Sequence, residues 1–254
     1  MILLYRITPF LVAIIALLGY TAFLFRVVHP LVAVGLSFVC VALLMARLLR
    51  FHVQEFSFWF FLGIASLFFL SSFGMLFLFE TPWVGIVLAL VSTALLVLFT
   101  EFVFLYTHLP SRYQPFSLEH LTSLLNLLSI FFFSSFAFAT RLFIQLPLSF
   151  LALLFFLLSF FLVYGVLWVT KAESFRSRLY ALFGAIVLTE LFVSITFFPT
   201  GFYTNAAFMT IFSYAFFGLT RTEALHKLSR EVVKRYVFVS LFLLCVVALS
   251  SKWL

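Results

Sequence analysis

The sequence predicts an all-α, polytopic transmembrane helix bundle of about nine spans, and three observations lead there. First, 66% of the 254 residues are hydrophobic and 9% are charged. A soluble domain carries roughly 25% charged residues, so lipid has to be the solvent for most of this surface. The mean hydropathy of +1.28 agrees. Second, runs such as "LALLFFLLSFFLVYGVLW" are apolar on every face. Lipid admits only helices and closed barrels, because every backbone N–H and C=O must be paired internally. Barrel strands alternate in polarity over about ten residues, and these runs do not. Third, the cations fall at the ends of the apolar runs, mostly on one side of the predicted topology.

Taken in order, with about 20 apolar residues per crossing, the spans are 7–25, 30–46, 56–79, 82–106, 118–139, 146–170, 179–198, 202–219 and 236–251. The N-terminal run has Arg6 as its only early charge and no small-residue cleavage site. It therefore reads as the first span rather than a signal peptide. With the N-terminus in the cytoplasm, the inner segments hold twelve cations: Arg6, Arg47, Arg50, Arg112, Lys171, Arg176, Arg178, Arg221, Lys227, Arg230, Lys234 and Arg235. The outer segments hold three, Arg26, Arg141 and Lys252. That is the direction of the positive-inside rule, and it sets the C-terminus outside a cytoplasmic membrane. Trp59, Trp83, Trp168 and Trp253 fall at span ends, where indole prefers the headgroup level. The stretch 221–235, "RTEALHKLSREVVKR", reads as a basic cytoplasmic loop or a short helix on the inner leaflet.

An internal similarity organises the middle of the chain. Residues 100–113, "TEFVFLYTHLPSRY", align without a gap to 189–202, "TELFVSITFFPTGF". Thr100 meets Thr189, Glu101 meets Glu190, Thr107 meets Thr196 and Pro110 meets Pro199. The chain has eight acidic residues and seven prolines, so recovering both at one spacing carries weight. The two copies lie on the fourth and seventh spans and so run in opposite directions. One membrane domain, 1–254, is then expected to contain two leading spans (1–55), a three-span repeat (56–139), its inverted copy (140–220) and a closing basic loop and span (221–254). Inverted repeats are common in secondary transporters, with the site near the midplane.

The candidate site follows from that repeat. Glu101 and Glu190 each stand nine residues before the proline closing the span, about 13 Å in a helix and near mid-bilayer. A charged carboxylate there is costly, so each is expected to be neutral or hydrogen-bonded. The threonines are the expected partners: Thr93, Thr100 and Thr107 on one helix face, Thr189 and Thr196 on the other copy. Thr122, Asn126 and Ser129 form a similar stripe on the fifth span. The helix breaks at Pro110, Pro199 and Gly201 are expected to close spans. The segment 197–208, "FFPTGFYTNAAF", reads either as a tight turn or as an unwound element lining a site.

Other chemistries lack their residues. There is no aspartate, which removes Asp-based membrane proteases and Asp-rich metal sites. No zinc, phosphate-loop or nucleophile-elbow motif is present. The five histidines sit at span ends or in loops, and no lysine lies mid-span. Cys40 and Cys245 stand apart inside apolar spans as small buried residues. No catalytic residue, cofactor or metal is expected, and the basic charge of +7 has no soluble domain with which to engage nucleic acid. The expected partners are membrane lipids and a small solute, proton or cation. The leading expectation is a small permease-like carrier. Its alternative is a non-catalytic scaffold whose Phe-rich faces pack on a partner membrane protein, and a lipid-modifying enzyme ranks third.

Overall fold

A computed structural model describes residues 5–114, 116–169 and 174–251, and Lys171, Lys252 and Trp253 of the topology argument lie outside them. Among the described residues the chain is helical throughout, with nine α-helices. They are α1 (Thr8–Leu24), α2 (Pro30–Leu48), α3 (Phe56–Leu76), α4 (Pro82–His108), α5 (Ser117–Phe143), α6 (Leu148–Val169), α7 (Ser174–Ile195), α8 (Phe202–Ala224) and α9 (Arg230–Ser250). Each predicted span corresponds to one of them. Seven, α2 to α7 and α9, are long and apolar enough to cross a membrane. At 17 residues α1 is apolar but shorter. The polar residues of α8, among them Thr204, Asn205, Thr210 and Ser213, keep it outside that class.

The helix boundaries follow backbone chemistry. Proline opens α2 and α4 and stands in the first turn of α1, where its missing N–H costs nothing. α1, α2 and α8 end in the same way. The residue after the C-cap (Arg26, Arg50 and His226) has positive φ. Its N–H and the next N–H bond back to the last turn, as in His226 N–H to the Glu223 carbonyl and Lys227 N–H to the Thr222 carbonyl. This is the Schellman arrangement, usually built on glycine. A left-handed conformation costs a side-chain-bearing residue roughly 1 kcal/mol. His226→Gly is therefore expected to raise stability by about 1 kcal/mol, read as a higher melting temperature in detergent. An unchanged or lower value would show that the imidazole contributes something the backbone argument misses.

The 221–235 stretch differs from expectation. It is neither a separate surface helix nor one loop. Residues 221–224 finish α8, and α9 already starts at Arg230. The cause is a cap: the Ser229 hydroxyl accepts the Val232 N–H at 3.3 Å, with Glu231 in the first turn. At the start of α5 the Tyr113 hydroxyl accepts the Leu118 N–H at 3.2 Å and donates to the Glu119 carboxylate at 3.0 Å. Burial pushes the Tyr113 phenol above its ordinary range, and Glu119 adds to this against the opposing Leu118 N–H. The hydroxyl thus keeps its proton, and its role as donor, through neutral pH.

The helices form two compact units, residues up to Ser129 and residues from Ile130 onward. This division follows packing rather than sequence similarity and does not bear on the proposed repeat. In the first unit α1 packs on α2 and α4, and α3 packs on the same two, which closes a ring of four helices. The buried stripe of α1 is Thr8, Val12, Ala16, Gly19 and Tyr20. It meets a stripe on α2 spaced every four residues, Ala33, Ser37, Val41 and Met45. Small side chains let the backbones approach, the usual basis of helix association in lipid. The centre is aromatic: Tyr20 lies 4.7 Å from Phe73 and 5.3 Å from Phe69, ring to ring. The Tyr20 and Ser72 hydroxyls are 2.5 Å apart, a buried bond from α1 to α3.

In the second unit α7 packs on α6 and α8, α8 also touches α6, and α9 rests on α8. The final turns of α5 join through a ring stack. Phe192 lies 4.7 Å from Phe138 and 4.6 Å from Phe155, nearly parallel to both. α9 packs on α8, where the Tyr236 ring lies over Gly218 and 5.6 Å from the Tyr214 ring. Ser240 is its one buried residue.

Candidate functional site

Glu101 lies on α4 in the first unit and Glu190 on α7 in the second. The helical period fixes their immediate company. On α4, Thr93 and Thr100 are buried and Thr107 is exposed at the helix end. Glu101, one residue past Thr100, is rotated about 100° from that stripe and is half-buried. On α7, Ile186, Thr189, Glu190, Val193 and Ser194 share one face. With Phe156 of α6 they line an open cavity of about 510 Å³. Glu190 is exposed there.

The threonines do not bond the carboxylates as expected. The Thr100 hydroxyl donates to the Leu96 carbonyl at 2.7 Å and to the Met45 sulfur at 3.5 Å. Thr93 donates to Ala89, Thr107 to Val103, Thr189 to Ala185 and Thr196 to Phe192, all at 2.7–2.9 Å. The physical reason is local. The carbonyl four residues back is within reach of any helical threonine, and bonding to it needs no second helix. Each hydroxyl proton is thereby satisfied inside its own helix. Among the described residues neither Glu101 nor Glu190 has a hydrogen bond or an ion pair through its carboxylate.

The two aligned stretches can be compared position by position, although the i−4 bond is common to helical threonines along the chain. Each has a glutamate directly after a threonine that bonds four residues back, and a second such threonine one heptad on. Pro110 and Pro199 both lie beyond the helix ends, at His108 and Ile195. Pro110 opens a short 3₁₀ turn, Pro110–Arg112. Pro199 sits in the turn before α8, and Gly201 is the N-cap of α8, with extended backbone.

The fifth helix keeps its predicted stripe inside: Thr122, Asn126 and Ser129 are all buried. Asn126 is fully buried, and neither end of its amide has a hydrogen-bond partner among the described residues. No group of three or more metal-ligating side chains occurs among the described residues.

Sequence reasoning missed two polar features. The Tyr20–Ser72 bond had no signal, because a tyrosine and a serine 52 residues apart carry no shared pattern. The second feature was half visible. The segment 197–208 contains a turn, and that turn also lines an open cavity of about 530 Å³ with Arg141 and Gln145. The segment supplied Thr200 and Asn205, but Arg141 had registered only as an outer cation. Comparison with known proteins finds no match, whether to a family model, a curated protein or a solved structure.

Proposed function

We propose that this helical membrane protein is a small carrier whose two pseudo-equivalent glutamates, Glu101 and Glu190, bind the transported proton, cation or polar solute. One observation carries the reading: both carboxylates lie in apolar helices without a hydrogen bond among the described residues. An intramembrane acid is costly and is retained where it does chemistry. A purely structural acid is retained for its bonds, and here the neighbouring hydroxyls are turned to their own backbones. The opening beside Glu190 gives a ligand room to reach it. In this reading α3–α5 and α6–α8 are inverted copies, nine helices cross the cytoplasmic membrane, and the N-terminus is inside and the C-terminus outside.

The test is flux in proteoliposomes, with protons followed by a pH-sensitive dye and small cations by tracer. The doubly substituted Glu101→Gln, Glu190→Gln protein is expected to lose the flux. Flux that survives the double change unaltered removes the glutamates from the mechanism.

One observation favours a second reading, a scaffold in a membrane complex. α9 is mostly exposed, with Ser240 its one buried residue. Phe238, Leu241, Phe242 and Leu249 lie exposed along it. Lipid satisfies such a face as well as a partner helix does, so this reading ranks behind the carrier.

A further inference from the structure

The cavity at one end of the second unit has a composition that the glutamate site does not explain. Its volume is about 530 Å³, and it lies among the end of α5, the turn after α7 and the start of α8. Phe138 and Phe198 contribute apolar wall, and Arg141, Gln145, Thr200 and Asn205 contribute polar groups. Arg141 is the one charged side chain among the described lining residues.

Two of these groups are prepared for a ligand. Arg141 is fixed by a 3.0 Å bond from its guanidinium to the Leu146 carbonyl. A guanidinium has five N–H donors in a rigid fork, so the remaining ones are free to act together. Asn205 is 5% exposed. Its amide oxygen accepts from the buried Thr200 hydroxyl, which orients the side chain. Its NH₂ group has no hydrogen-bond acceptor among the described residues, and the residue lines the cavity. The NH₂ group is therefore open to the cavity rather than sealed in the core, and available to a ligand. The start of α8 adds a third element of the same sign: its N-cap is Gly201, which has no side chain to cap the first turn.

The one charged group is a cation, the Asn205 NH₂ is an unmet donor, and the apolar wall is largely aromatic. We infer that this cavity binds an anionic group, a phosphate or carboxylate, held by Arg141 and Asn205 at the N-terminus of α8. A lipid headgroup would lay its chains along the exposed apolar flanks, while a soluble anion would enter alone. The inference is independent of the carrier reading, because it uses neither Glu101 nor Glu190.

The experiment uses the full-length protein in nanodiscs of zwitterionic phosphatidylcholine and follows the melting temperature. One arm titrates phosphatidylglycerol into the discs, and the other adds inorganic phosphate to the buffer. A rise in melting temperature is expected, and Arg141→Gln should weaken its apparent affinity by about tenfold, the scale of one charge-assisted bond. Arg141 is solvent-exposed, so this change leaves the fold intact. Arg112→Gln, a cation on a different turn, tests for general attraction by the basic chain and should leave the response unchanged. An Arg141-dependent response to phosphatidylglycerol identifies a lipid headgroup, and one to phosphate identifies a soluble anion. No response in either arm, or equal loss with Arg112→Gln, overturns the site.

Discussion

Gly19→Val is expected to destabilise the first unit by about 2 kcal/mol or more, the scale of overpacking a close contact. A Cβ at position 19 would stand 2.5 Å from the Ser37 Cβ and 2.7 Å from its Oγ. The far ends of flexible side chains can swing away from such a clash, but a Cβ cannot move without its backbone. The α1–α2 contact would have to open, and with it the ring of four helices. Lipid offers helices no hydrophobic reward for associating, so lost van der Waals contact is not recovered elsewhere. Gly19→Ala should show a smaller loss, because alanine recovers about 1 kcal/mol of helix propensity. The decisive measurement is the pair Gly19→Ala with Ser37→Gly. Melting in detergent should return most of the way to the parent value, since the second change removes the atoms that clash. Absence of rescue would mean that the approach of α1 and α2 is not what makes glycine necessary.

That contact also marks where sequence reasoning stops. The nine helices were legible because hydropathy runs and cations report on lipid, and lipid acts on each span separately. The partner of each helix was not legible. Small residues occur on many faces, and nothing in "ALLGYTAF" says that Gly19 meets Ser37 rather than another serine. The start of α9 was misread for a similar reason. Its first turn is charged, and a cap at Ser229 outweighs polarity in deciding where helix begins. At the candidate site, the residues and their spacing were visible, while their bonding was not. Threonine beside glutamate invites a bond between them, and helix geometry prefers the carbonyl four residues back. Arg141 was passed over because a cation near a span end looks the same whether it faces headgroups or a cavity.

The glutamates permit a sharper test than loss of flux, because stability and activity should separate. Interhelical hydrogen bonds in membranes average about 0.6 kcal/mol and reach about 1.7. Were Glu101 or Glu190 structural, replacing it by leucine would cost on that scale. With no carboxylate bond to lose among the described residues, Glu101→Leu and Glu190→Leu should change folding stability by less than about 0.5 kcal/mol. Insertion should improve, since leucine is favourable at mid-helix on the translocon scale and an ionisable side chain is not. Steady-state yield in the membrane should therefore rise while flux in proteoliposomes falls to background. Position matters to the comparison: Glu190 is exposed beside an open cavity and Glu101 is half-buried. Any packing penalty should therefore appear at Glu101 first. A melting loss near 1.7 kcal/mol at either position with flux intact would reassign that residue to holding helices together, and the scaffold reading would then lead. Stable, well-inserted and inactive leucine variants would mean that each acid is kept for what it binds.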